Sequence, residues 1–285
     1  MTFAPLFRNV IMTRRAIVSA DDFGMSLEVN EAIEAAHRKG VLSTASLMVA
    51  GDAAADAIRR AKSMPDLRVG LHVVAIEGKS VLDLPAITDE QGWFGRDQLR
   101  LGVEYFFSPH ARSAIRREIE AQYRVFALTG LPLDHANAHK HMHLHPTVGR
   151  FLIESGLSHG LKAVRSPFEP PEPVGAKDSF SDRALRRWIG VLRHQIRKAG
   201  LKTNDWCFGL RWSGHMTPDR IRSLIPKLPD GVSEIYFHPA TAQNAMMHRF
   251  MPTYDQEGEL AALLDSDVRD AFARENVSRI GWSDL

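Results

Sequence analysis

Ala16-Ile17-Val18-Ser19-Ala20-Asp21-Asp22-Phe23-Gly24 is the stretch from which the fold is read. A short apolar run closed by a polar turn reads as a strand buried on both faces. Ser26 then caps a helix that runs to about Lys39 and stops at Gly40. Residues 41–49 follow as a second strand, Gly51 and Asp52 open a second helix, and residues 67–73 form a third strand. This β-α-β-α-β rhythm places the chain in the α/β class, with a parallel sheet and right-handed crossovers.

Residues 75–107 break the rhythm. They carry Trp93, Phe94, Tyr105, Phe106 and Phe107 among glycines and acids. A long irregular insert of this kind reads as a lid or a substrate wall, and Trp93 and Phe94 are taken as substrate-binding. The rhythm then resumes with a helix after Ser108-Pro109, a strand over 133–138, a helix over 146–154 and a strand over 161–164. A proline-rich loop at 166–176 leads to a helix over 181–199. Later strands are expected over 206–210, 232–237 and 277–281, with helices from Pro218 and over 258–275. Residues 16–285 read as one domain, and residues 1–15 as an N-terminal extension without fixed structure.

The 285 residues suffice for a full core. A hydrophobic share of 44%, a charged share of 25% and a net charge of +2 are ordinary for a soluble enzyme; no nucleic-acid partner is expected. The single cysteine, Cys207, excludes an internal disulfide and a cysteine-rich zinc site, and fits a reducing compartment. The sequence holds no apolar run long enough to cross a bilayer and no convincing signal-peptide core, so a cytoplasmic location is expected.

Polar residues gather where strands end. His139, His141, His143 and His145 alternate, and His135 and Asn137 precede them in the same alternation, so His135, Asn137 and His139 share one face of a strand end. Asp21, Asp22, His72, Arg165 and His238 also close strands. In parallel α/β proteins the site forms at that edge of the sheet. Asp22, His72 and His139 make a coherent metal triad, two imidazoles and one carboxylate, with positions left for water and substrate. Asp21 faces the water as general base, Arg165 holds Asp21 ionised, and His238 protonates the leaving group. His141 and His143 line the pocket or support a ligand. Taken singly, Asp21-Asp22 reads equally as a turn, His72 as a core histidine and Arg165 as a salt-bridge partner; their joint placement carries the site.

Three segments in order, 19–24, Gly70-Leu71-His72 and His139-Lys140-His141-Met142-His143, resemble the YdjC-like carbohydrate deacetylases. The resemblance runs over most of the chain. It implies an irregular (β/α) barrel like that of polysaccharide deacetylases, one divalent ion (magnesium or zinc) and hydrolysis of the acetamide of N-acetylated sugars. It also implies Asp22, His72 and His139 as ligands, Asp21 as base and, through a late His-Pro-Ala segment, His238 as acid.

Residues 164–170 and 251–254 resemble the hopanoid-biosynthesis branch of that family. That branch implies an N-acetylglucosaminyl bacteriohopanetetrol as substrate, with a chito-oligosaccharide or another soluble amino sugar as the alternative. The arginine-rich helix over 181–199, with Trp188 in its apolar stripe, suits peripheral contact with the inner membrane or an ordinary surface helix, and a homodimer is left open. Two rivals stand beside the deacetylase: a metal phosphoesterase with two or three ions, and a non-catalytic lipid-binding protein that needs no Asp-His-His geometry.

Overall fold

The structure, a computed structural model, describes residues 14–285. The first strand, β1 (Arg14–Phe23), is buried from Ala16 onward and organises the rest. The chain continues as α1 (Leu27–Lys39), β2 (Thr44–Leu47), α2 (Ala54–Lys62), β3 (Arg68–Val73), α3 (Gln98–Phe107), α4 (Pro109–Leu128) and β4 (Ala136–Ala138). A 3-10 segment, His139–Leu144, leads into α5 (Pro146–Ser158). Then come α6 (Phe180–Lys198), β5 (Trp206–Phe208), α7 (Pro218–Leu224), β6 (Gly231–Phe237), α8 (Ala245–Phe250), α9 (Gln256–Leu264), α10 (Ser266–Arg274) and β7 (Ser278–Ile280).

The strands pair in parallel in the order β4-β3-β2-β1-β6-β5, and β7 joins the early part of β1. Two single parallel bridges, Ala136 to Val164 and Ala163 to Lys202, carry the pairing on from β4 toward the segment that feeds β5. The sheet thus curls into an irregular barrel that closes through isolated bridges rather than full strands. All carboxyl ends point the same way, which gathers the strand-end residues at one mouth.

The first three strands and two helices follow the sequence rhythm. Ser26 caps α1 by accepting from the Val29 amide at 3.4 Å, and the apolar stripe of α1 (Val29, Ala32, Ile33, Ala36) is buried. Elsewhere the structure corrects the reading. The insert holds a helix: Asp97 accepts from the Arg100 amide and starts α3. The strand expected over 161–164 is reduced to the two bridges. The helix expected over 258–275 is two, broken where Asp265 caps Val268. Helix α8 was not anticipated. Arg14 and Arg15, assigned to an extension, are the first residues of β1; the rest of that assignment lies outside the described residues. In α6, Ile189, Leu192 and Ile196 face the core. Among the described residues no helix is long and apolar enough to cross a membrane.

Candidate active site

The site starts from an irregularity in β1. Pairing with β2 slips between Ala20 and Phe23, and Asp22 takes φ 63°, in the left-handed region that Asp tolerates better than most residues. A regular strand would send Asp21 and Asp22 to opposite faces. The bulge turns both carboxylates toward the barrel mouth, as bulges beside active sites do. Gly24 completes the turn at φ 95°, where an added Cβ would lie 2.9 Å from the Met48 carbonyl oxygen.

Asp22, His72 from β3 and His139 from the end of β4 converge. Asp22 Oδ1 lies 3.2 Å from His72 Nε2 and 3.0 Å from His139 Nδ1, and the two ring nitrogens are 3.4 Å apart. Ligand atoms about 2.0–2.2 Å from a shared ion sit roughly 3.0–3.5 Å apart around it, so the three edges match a divalent cation. Two further facts fit that ion. Asp22 Oδ2 is buried without a hydrogen-bond partner, and an unsatisfied buried polar atom calls for a reason. Nearby, Asp21 and Glu234 share one buried guanidinium, that of Arg165, and Asp22 adds a third buried carboxylate. The two negative charges left over equal the charge of one such cation.

A directional chain fixes the His72 tautomer. His135 Nδ1 donates to Asp134 (3.2 Å), Ser46 Oγ donates to His135 Nε2 (3.0 Å), and Asn137 Nδ2 donates to Ser46 Oγ (3.0 Å). Asn137 Oδ1 then accepts from His72 Nδ1 at 2.6 Å. With its proton on Nδ1, His72 turns the Nε2 lone pair toward Asp22 and His139, an arrangement that would suit a metal ligand. The face predicted for His135 and Asn137 is therefore real, but its work is support, with His135 stacked on Trp282 at 5.1 Å.

Asp21 belongs to a second cluster. Arg165, fully buried, donates to Asp21 Oδ2 (2.5 Å) and Oδ1 (2.9 Å), and to Glu234 Oε2 (2.8 Å) and Oε1 (2.6 Å). Ser19 and Asn137 also bond within this group, and the guanidinium lies over the Tyr236 ring at 4.7 Å. Burial opposes ionisation of Asp21, but the charge and hydrogen bonds of Arg165 overcome it and hold the carboxyl well below the ordinary range. Asp22 is likewise depressed, burial being outweighed by His139 and His72. His72 is raised, burial being outweighed by Asp21 and Asp22.

A cavity of about 270 Å³ opens on this edge, walled among others by Asp21, His72, His139, His141, Tyr236, His238 and Tyr254. That size suits one sugar ring rather than a long oligosaccharide. Lys140 and His141 take consecutive left-handed conformations, which fold the 3-10 segment back so that His141 Nε2 and Tyr236 Oη share a hydrogen bond at 3.1 Å. Burial and the Arg165 charge keep His141 neutral by lowering its pKa well below the usual value. His238 Nδ1 is buried without a hydrogen bond, 3.8 Å from the fully buried Glu259.

The structure brings together Asp21, Asp22, His72, His139, His141, Arg165 and His238. It leaves three expected residues out of the cavity wall. His143 is buried behind it, its Nε2 donating to the Arg165 carbonyl at 3.1 Å. Phe94 is a core residue, and Trp93 stacks on Phe250 at 5.6 Å, outside that wall. The sequence reading missed Asn137 as a support, Ser46, Glu234, Tyr236, Tyr254 and Glu259. Glu234 carries a signal of its own, an acid inside an otherwise apolar strand, and the sequence places Asn137 on the histidine face without a role.

Comparison with known proteins places the chain in a family. A family model described as YdjC-like protein matches residues 15–274. A carbohydrate deacetylase of Geobacillus stearothermophilus is 31% identical over 276 residues, covering 96% of this chain and 99% of the relative. One from Vibrio vulnificus (strain CMCP6) is 31% identical over 278 residues, covering 95% and 96%. The crystal structure of an Enterococcus faecalis V583 protein, named provisionally for cellobiose-phosphate cleavage, has the same fold: TM-score 0.73 at 19% identity, over 96% of this chain and 99% of that one.

Proposed function

The chain belongs to the YdjC-like family, and on that premise we propose that it is a carbohydrate deacetylase acting on the N-acetyl group of an N-acetylglucosaminyl substrate, with one divalent ion, magnesium or zinc, held by Asp22, His72 and His139. The observation that carries this reading is the triangle of ligand atoms, 3.0–3.4 Å on each edge, two of whose corners, His72 and His139, line a sugar-sized cavity. It is the one group with metal-ligand geometry among the described residues. A phosphoesterase of two or three ions would need more ligands.

The ion, when bound, supplies Lewis acidity to the acetamide carbonyl and to the attacking water. The chain's own groups do the rest. Asp21, ionised and fixed by Arg165 and Asn137, takes a proton from the water as its oxygen bonds to the acyl carbon. His238, backed by Glu259, gives a proton to the sugar nitrogen as the carbon–nitrogen bond breaks, releasing acetate and a free amine. Uncharged His141 and Tyr236 shape the wall without adding charge.

For the substrate we favour N-acetylglucosaminyl bacteriohopanetetrol over a chito-oligosaccharide. Met251 and Tyr254, from the 251–254 segment that resembles the hopanoid branch, line the cavity. The test is metal analysis together with acetate release from that glycolipid and from diacetylchitobiose. One ion per chain and acetate from the glycolipid are expected, and His139→Ala should lose both ion and activity. Stoichiometric metal in His139→Ala contradicts the site; no acetate from any amino sugar by metal-loaded protein contradicts the function.

A further inference from the structure

A second depression, of about 680 Å³, lies beside the cavity between α3, the 139–145 turn and α6, and Leu99, Val103, Phe106, Phe107, Leu144 and Trp188 dominate its walls. Its origin is legible in α3. That helix carries two apolar stripes. Leu101 and Tyr105, one turn apart, are buried, and Tyr105 Oη donates to the Ala75 carbonyl. Leu99, Val103 and Phe106 follow the same helical spacing on another face, and the fold covers them with nothing: Leu99 is 78% exposed and neighbouring Phe107 73%. Trp188 of α6 faces them, 48% exposed and off the stripe that packs on the core. The core does not need these side chains, and contiguous exposed apolar surface marks a binding site.

What binds there follows from the neighbouring cavity. His141 lines both depressions, so a ligand whose polar head fills the cavity has its other end over the groove. We propose that the groove receives a large hydrocarbon aglycone while the attached N-acetylglucosaminyl group occupies the cavity. The inference rests on the deacetylase reading and adds the surface, lined by Phe107 and Trp188, that holds the part of the substrate that does not react.

The experiment compares methyl and octyl N-acetyl-β-glucosaminides, both kept monomeric in solution, on metal-loaded protein. The octyl glycoside should be hydrolysed with a kcat/KM about tenfold or more above the methyl glycoside, the gain lying in KM, as apolar burial by a non-reacting group predicts. Phe107→Ser and Trp188→Ser should bring the octyl-to-methyl ratio toward one. A ratio near one in the unaltered protein, or one that survives both substitutions, overturns the groove and leaves the deacetylase standing. If neither glycoside releases acetate, the catalytic reading fails, and calorimetric binding of the two glycosides still decides the groove: tighter octyl binding weakened by Phe107→Ser supports it, equal binding overturns it. Sedimentation closes the remaining routes. A dimer that Phe107→Ser dissociates assigns the surface to a second copy of the chain and overturns the proposal, as does groove-dependent flotation with plain phosphatidylglycerol vesicles without any octyl preference.

Discussion

Two consecutive aspartates at the end of β1 enter neighbouring clusters built on opposite principles. Around Asp21, Arg165, Glu234, Ser19 and Asn137 leave neither carboxylate oxygen of Asp21 without a donor. Around Asp22, His72 and His139, one carboxylate oxygen, Asp22 Oδ2, has no partner at all. A saturated ionic network gains nothing by taking up a ligand, whereas an unsaturated one is costly until something arrives. The difference teaches that the bulge in β1 does more than aim two acids. It divides them between a fixed frame and a receptor.

The frame gives the largest expected effect. Arg165→Met leaves Asp21 and Glu234 as uncompensated buried charges and should cost about 3–5 kcal/mol of unfolding free energy, read from the denaturant midpoint. Arg165→Met combined with Glu234→Leu should recover part of that loss, because one of the stranded charges goes with it. If Arg165→Met unfolds like the unaltered protein, the network is not the frame we describe. Next, Asp21→Asn keeps the shape and most hydrogen bonds but removes the proton acceptor. Metal content should be unchanged while kcat falls by about 10²–10⁴. Near-full turnover in that variant would reduce Asp21 to a structural member of its cluster.

The link between the clusters comes third. Asn137 bonds to Asp21 on one side and fixes the His72 proton on the other. Asn137→Ala should lower metal affinity by about 10–100-fold, the usual cost of losing the group behind a ligating histidine, as measured by competition with a chelating dye. Unchanged affinity would mean that the Asp134-His135-Ser46-Asn137 chain does not set the tautomer.

How much of this was legible depends on what each residue signals locally. The β1-α1-β2-α2-β3 run declares itself through apolar runs, the Ser26 cap and the Gly40 stop. The ligands declare themselves because each closes a strand. The bulge does not, because left-handed φ at Asp22 is a property of the fold rather than of the dipeptide. Helix α3 was hidden by Gly102 and its aromatic residues, although Asp97 is an ordinary cap. The strand at 161–164 looked apolar enough, yet it meets its neighbours only through Ala136 and Lys202. Glu259 had no signal at all: it is one acid in an acid-rich helix start, and only the packing of α9 puts it behind His238. Trp93 and Phe94 stand outside the wall of that cavity, and large aromatics in an irregular stretch suit a core as well as a binding wall.

The last expected effect tests the frame from behind. His143 is buried with its Nε2 on the Arg165 carbonyl. Burial and the Arg165 charge push its pKa down to about 3 from the ordinary 6.5. The folded chain therefore keeps His143 neutral between those values while the unfolded chain takes up a proton there. Its contribution is fully present above about pH 6.5 and is lost as pH falls toward 3, with a slope of about 1.4 kcal/mol per pH unit for one proton. His143→Gln retains a donor for the Arg165 carbonyl and has no such proton to gain. Unfolding free energies of the two proteins, measured from pH 7.5 to 4.5, should differ in slope by about that amount below pH 6.5, the shared titrations of other groups cancelling. Parallel curves would mean that His143 accepts its proton within the fold, and that the region behind Arg165 admits charge more readily than its saturated hydrogen bonding implies.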